Sequence, residues 1–196
     1  FLPLAQAAES AGFASIAVPE SVFFAEEVSA DYPYTSDGGR FWVPETPFLD
    51  PFVAIPAMAA VTERVKFFTN VLKLGIRDPL LVAKTVSSIA ALADGRIGLG
   101  VGLSWIPEEF KWLGKDMRTR GARTNEAIEI IRLVQSGEFV EYHGKHYDFG
   151  RLMVRPVGTQ PVPIYVGGLS EPGLQRAARL GDGWISVANT TTEISE

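Results

Sequence analysis

The chain has 196 residues, 46% of them hydrophobic, a formal net charge of −5 from 18 Lys and Arg against 23 Asp and Glu, and no cysteine. That length and apolar content allow one domain with a sizeable core, and an acidic balance without a dense basic run argues against nucleic acid as a partner. The missing thiols exclude disulfides, iron–sulfur clusters and a cysteine nucleophile, and no apolar stretch approaches the roughly 20 residues that cross a bilayer, so a soluble cytoplasmic protein with no membrane partner is expected.

The opening "FLPLAQAAESAG" places Leu4, Ala7, Ala8 and Ala11 at helical spacing before Gly12, which predicts a first helix. "SIAV", residues 15 to 18, reads as a strand buried on both faces and ended by Pro19. The long connection after it holds Phe23, Phe24, Tyr32, Tyr34, Phe41, Trp42 and Phe48, an aromatic content that marks a functional loop rather than a disordered one. Asp50 and Pro51 signal a helix to about Ala60, with Pro56 inside it. "VKFFTNVL", residues 65 to 72, predicts a strand. Residues 78 to 95 predict a helix capped by Asp78 and Pro79, with Leu81, Val82, Val86, Ile89 and Leu92 or Ala93 on its inner face.

In "RIGLGVGLSW", residues 96 to 105, Ile97, Leu99, Val101 and Leu103 alternate with Gly98, Gly100 and Gly102. One face of that strand is packed and the other is bare backbone, so a neighbouring strand in a narrow interior or a bound ligand must approach it closely. Arg120 to Gln135 predicts a helix with Ala127, Ile128, Ile131 and Val134 inward, and "FVEYHGKHYDFG" a hairpin turning near His143 and Gly144. "PIYVGG" (163–168) is a strand, "EPGLQRAARLG" a helix with Leu174, Ala177 and Ala178 inward, and "GWISVA" (183–188) a last strand. This alternation predicts a parallel sheet in a single domain over 1–196, with the hairpin inserted at about 138–156. A doubly wound open sheet and a (β/α)8 barrel both remain possible, and the glycine stripe favours the barrel.

"RIGLGVGLSWIPEEFKWLG", "RTRGARTNEAIEIIRLVQSGEF", "YHGKHYDF" and "PVPIYVGGLSEPGLQRAARLGDGWI" together resemble the bacterial luciferase-like family, particularly its F420-dependent oxidoreductase branch. The resemblance implies an α/β fold of the (β/α)8 TIM-type barrel, here incomplete, with the first strand and the last strands absent, and with a β-hairpin insertion. It further implies a homodimer and a cofactor, F420 or alternatively FMN, at the carboxyl ends of the strands.

At "GGLSEPG" two readings of the residues stand side by side: a phosphate seat made of glycine backbone, the Ser170 hydroxyl and a helix amino end, or ordinary capping by Ser170 or Glu171. The resemblance assigns Gly167, Gly168, Leu169 and Ser170 to the family's phosphate loop. It also places at Asn70 and Val71 the bulge, often with a non-prolyl cis peptide, that lies against the flat cofactor ring; a plain strand end with a turn at Asn70 is the alternative. Gly102, Leu103 and Ser104 would line the same pocket, the bare strand face leaving room inside the barrel and near its mouth.

Glu20 and Ser21 are the weak catalytic candidates: Ser21 stands where the family's luciferases carry a catalytic His, and Glu20 fits an acid, a base or a contact to the ring, or else a solvated or salt-bridged carboxylate. His143 and His146 sit at HxxH spacing on a hairpin tip without cysteine or clustered carboxylates, so no metal is expected. Trp105 and Trp112 read as loop packing. The function implied is hydride transfer to or from a small organic substrate. An FMN-dependent luciferase-like monooxygenase is the alternative, and a non-catalytic flavin-binding protein is the alternative of another class.

Overall fold

Asp50 and Asp78 each precede a proline, and in the computed structural model, which describes residues 1–187, both open a helix as the sequence predicts. Asp50 accepts a hydrogen bond from the Phe52 amide (2.8 Å), and Asp78 from the Leu80 and Leu81 amides (2.9 and 3.1 Å). The carboxylates satisfy donors that have no partner within the helix, and the prolines stand where no N–H is missed.

The chain runs α1 (Leu2–Ser10), β1 (Ser15–Val18), α2 (Pro51–Ala59), β2 (Lys66–Thr69), β3 (Leu72–Lys73), a 3-10 turn at Leu74–Ile76, and α3 (Pro79–Leu92). β4 (Ile97–Gly102), α4 (Pro107–Trp112), a second 3-10 turn at Met117–Thr119 and α5 (Arg120–Val134) follow. β5 (Val140–His143) and β6 (Asp148–Leu152) form the antiparallel hairpin, and β7 (Ile164–Gly167), α6 (Glu171–Leu180) and β8 (Gly183–Ile185) complete the described residues. Ala188, the end of the last predicted strand, lies outside them.

The sheet order is β1-β2-β4-β7-β8, every pairing parallel, with β3 continuing beside β4. Each new strand is added on the same side, with none of the order reversal that a doubly wound sheet requires. The result is a parallel half-barrel, and its strand tips share one edge.

On one face, Phe67, Ile97, Leu99, Val101, Ile164 and Val166 pack with Ile55, Val86, Ile128 and Ile131 from the helices in a single buried cluster. Each such side chain contributes roughly 1.5–3 kcal/mol by leaving water. At the lower end Arg96 donates to the carbonyls of Ala59 (2.8 Å), Ala93 (3.1 Å) and Val65 (3.2 Å), tying the ends of α2 and α3 to the start of β4.

Four expected faces differ. β1 is not buried on both sides, because it is an outer strand with β2 as its neighbour; Val18 is its buried residue. In α1 the buried residue is Ala5, while Leu4 is 65% exposed. That helix is turned by Glu9, whose carboxylate accepts from the amides of Glu63, Arg64 and Val65. In α3, Leu81 (70%) and Leu92 (79%) stand in solvent, and the inner face is Val82, Ala83, Val86, Ile89, Ala90 and Ala93. Small side chains there let α3 sit close to its neighbours. In α6, Ala177 and Arg176 are buried, whereas Leu174 and Ala178 are exposed.

Candidate active site

The bare face of β4 is occupied by neighbours. A Cβ at Gly98 would meet the Tyr165 ring at 2.8 Å, and one at Gly183 would meet the same ring at 3.1 Å, so Tyr165 is seated between glycines of two adjoining strands. The Thr69 backbone carbonyl lies directly over Gly100. Val71 repeats the Tyr165 arrangement nearer the tips: its methyls would touch a Cβ at Gly102 (2.6 Å) and at Gly167 (3.1 Å). Inside the half-barrel the stripe therefore accommodates neighbouring strands rather than leaving open space, and only its last glycine faces the tip region.

Val71 reaches that position through a bulge. Phe68 pairs with Gly98 and Leu72 with Val101, so four steps along β2 and β3 oppose three along β4. One extra residue bends the backbone out of the ladder. The Asn70–Val71 peptide is cis, and the Asn70 amide donates to the Val18 carbonyl (2.8 Å).

The loop after β7 turns at Gly168, whose φ of +137° favours glycine. A side chain on Gly173, in the first turn of α6, would press on Gly168 and on Ser170 Oγ (3.3 Å), so loop and helix are in close contact. Trp184 Nε1 donates to the Gly168 carbonyl (2.8 Å) and fixes the turn from β8. Ser170 is the N-cap residue, and its hydroxyl makes no capping bond. Leu169 points outward.

The side chain of Glu20, just past β1, is 2% exposed. One oxygen accepts from the Lys73 amide (2.6 Å) and the other is paired with the Arg77 guanidinium, which also reaches Asp50 (3.4 Å). Burial raises the Glu20 carboxyl above its ordinary range, outweighing the opposing pull of Arg77 and of the Lys73 amide. Since the folded-state pKa exceeds the unfolded one, the associated stability is fully present below about pH 4.5 and declines as pH rises through the folded value. Glu20→Gln removes this dependence: in a thermal unfolding series the variant gains on wild type progressively from pH 4.5 towards neutrality. A gap that closes with rising pH would contradict this origin.

Ser21 lies apart from the phosphate-loop candidates, across β2 and β4, in a cavity of about 170 Å³ lined by Phe23, Phe24, Trp42, Thr46 and Phe48 among others. The loop that forms this cavity is organised by Tyr32, whose ring meets those of Tyr34, Phe41, Trp42 and Trp105 at 5.2–5.7 Å between centroids. Trp112 packs on Phe23 (5.4 Å), and Ser29 binds Glu108 (2.7 Å), so the loop is fastened to α4. His143 pairs with Asp148 (2.6 Å) across the hairpin.

Lys73, Arg77 and Glu109 were not legible as site residues. Glu109 is fully buried, its carboxylate held by Lys73 Nζ and by the Ser104 hydroxyl (2.6 Å). Ser104, with φ +66°, thus turns its hydroxyl into this pair. The available signal was a glutamate between Ile106 and Phe110, both of which are buried.

Among the described residues no helix is long and apolar enough to cross a membrane. The family model for luciferase-like monooxygenases matches residues 1–196. An uncharacterized protein of Mycobacterium tuberculosis strain H37Rv is 46% identical over 99% of this chain and 67% of its own length. The F420-dependent glucose-6-phosphate dehydrogenase of Nakamurella multipartita is 31% identical over 94% of this chain and 51% of its own. Among solved structures, the monooxygenase RslO1 of Streptomyces bottropensis superposes with a TM-score of 0.76 at 25% identity, covering 93% of this chain and 51% of that one. The chain thus spans about two thirds of the mycobacterial relative and about half of the other two.

Proposed function

The chain belongs to the luciferase-like monooxygenase family, and from that premise we propose that it forms the cofactor-holding part of an oxidoreductase using F420 for hydride transfer to or from a small organic substrate. The observation that carries the reading is Val71, raised by the bulge onto Gly102 and Gly167, beside a loop whose Ser170 hydroxyl is unused by its helix.

The strand tips fit a planar group with a phosphate. Ser170 and the backbone around Gly167, Gly168 and Leu169 would hold the phosphate at the amino end of α6; Asn70, Val71, Gly102 and Leu103 would line the ring. Glu171, in the first turn of α6, opposes an anion and is solvent-facing. When bound, a deazaflavin supplies the hydride acceptor or donor. The protein's part is to orient the substrate, to exclude water with the aromatic loop and to present the Glu20 carboxyl, held by Arg77 and the Lys73 amide, just past β1. The homodimer implied by the family resemblance belongs to the same reading.

F420 is preferred because a relative bearing that cofactor in its name is 31% identical over nearly the whole chain. A monooxygenase is the second reading, favoured by the likeness to the solved monooxygenase, with FMN as its cofactor by the family resemblance. Titration with each cofactor, followed by absorbance and fluorescence, separates them. Saturable binding of F420 in preference to FMN is expected; tight binding of FMN alone selects the second reading, and binding of neither contradicts both.

A further inference from the structure

Two oppositely charged side chains, Lys73 and Glu109, meet in the interior just below the strand tips, with side-chain exposures of 12% and 0%. Buried ion pairs of this kind are poor stabilisers, because desolvation cancels much of the attraction and well-packed apolar residues often serve as well. In some proteins such groups are retained because they specify geometry. We propose that the Lys73–Glu109–Ser104 link is a positioning device that sets the height of Val71 over Gly102 and Gly167, and so determines cofactor affinity; this rests on the reading of the tips as a cofactor seat.

The connectivity carries the proposal. Thr69 is still paired with Val18 on the β1 side, but between the Phe68–Gly98 and Leu72–Val101 pairings Asn70 and Val71 are out of register with β4, and no ladder pairing includes Val71. Lys73, two residues beyond Val71, is secured from both sides. Its amide is held by Glu20 from the β1 side, and its ammonium by Glu109 from the β4 side. The second oxygen of Glu109 receives the Ser104 hydroxyl (2.6 Å), and Ser104 Oγ in turn accepts from the Ile106 amide (3.2 Å). Lys73 is the ladder partner of Gly102, two residues before Ser104. The link therefore closes a ring from β3 over the end of β4 and back, with Val71 and Gly102 on its rim. An apolar pair of equal volume would fill the same space and leave the Leu72–Val101 and Lys73–Gly102 pairings in place, but would remove the directional tie from β3 to α4 and Ser104.

The test separates packing from positioning. Lys73→Met and Glu109→Met are each expected to lower the thermal midpoint by leaving the partner charge buried and alone, and the double substitution is expected to recover most of that loss. Cofactor affinity should not recover: the double variant is expected to bind F420, or FMN if that is the cofactor, on the order of tenfold more weakly than wild type. Affinity within twofold of wild type in the folded double variant overturns the proposal while leaving the cofactor reading intact. Glu109→Gln supplies an independent check, since it retains the shape and removes the charge; a similar loss of affinity is expected, and wild-type affinity there also overturns the proposal. If wild type binds neither cofactor, the cofactor reading falls and the proposal falls with it.

Discussion

Gly100→Ala is expected to be the most destabilising single methyl added to β4. The added methyl would overlap the Thr69 carbonyl oxygen and come within 2.8 Å of Ile185 Cδ1. The carbonyl belongs to backbone that cannot retreat: Thr69 Oγ1 donates to the Gly100 carbonyl (2.6 Å), and the next amide, that of Asn70, is bound to Val18. Overpacking against fixed backbone places the cost above about 4 kcal/mol, a large share of the roughly 5–15 kcal/mol that holds a domain together. Gly98→Ala is the control. There the nearest obstacle is the edge of the Tyr165 ring, a side chain able to shift, and a loss of about 1–3 kcal/mol is expected. Far-UV circular dichroism and denaturant titration of the two variants measure both. Equal stabilities would contradict the packing described for β4.

Ser170→Asp is expected to separate stability from affinity. Aspartate is as good an N-cap as serine, and the Ser170 hydroxyl makes no capping bond that could be lost, so the unfolding midpoint should stay or rise. Ser170 is exposed, and a carboxylate there repels a bound phosphate at short range, where a like-charge contact near a protein surface costs a few kcal/mol. Cofactor affinity should therefore fall by about two orders of magnitude, since each 1.4 kcal/mol is tenfold. Unchanged affinity in the folded variant, measured by fluorescence titration, would remove Ser170 from the site.

Much of the fold was legible because its signals are local. Asp50 with Pro51 and Asp78 with Pro79 mark helix starts through atoms within three residues of each other. The glycine alternation of β4 likewise announced a close approach. It did not reveal what approaches, because Tyr165, Thr69 and Val71 come from other strands, and pairing decides who stands opposite whom. For a related reason Leu81 and Leu92, which fit the helical period, stand in solvent: which face of α3 is buried, with Ala83 and Ala90 on it, depends on the elements that pack against the helix.

The site was less legible than the fold. Lys73 and Glu109 are 36 positions apart, and a lone charged residue in a sequence is assigned by default to solvent. Only the topology, which lays the end of β3 beside the end of β4, brings them together. Glu20 was visible as an acid at a strand end, yet its partner Arg77 lies 57 residues away, and without that distance resolved its burial was not foreseeable.

The most direct test is a crystal structure of the chain with F420 bound. A phosphate oxygen within hydrogen-bond reach of Ser170 Oγ, together with the ring lying across Val71, is the result expected. A ring bound away from the strand tips, or a phosphate held by residues other than the Gly167–Ser170 loop, would contradict it.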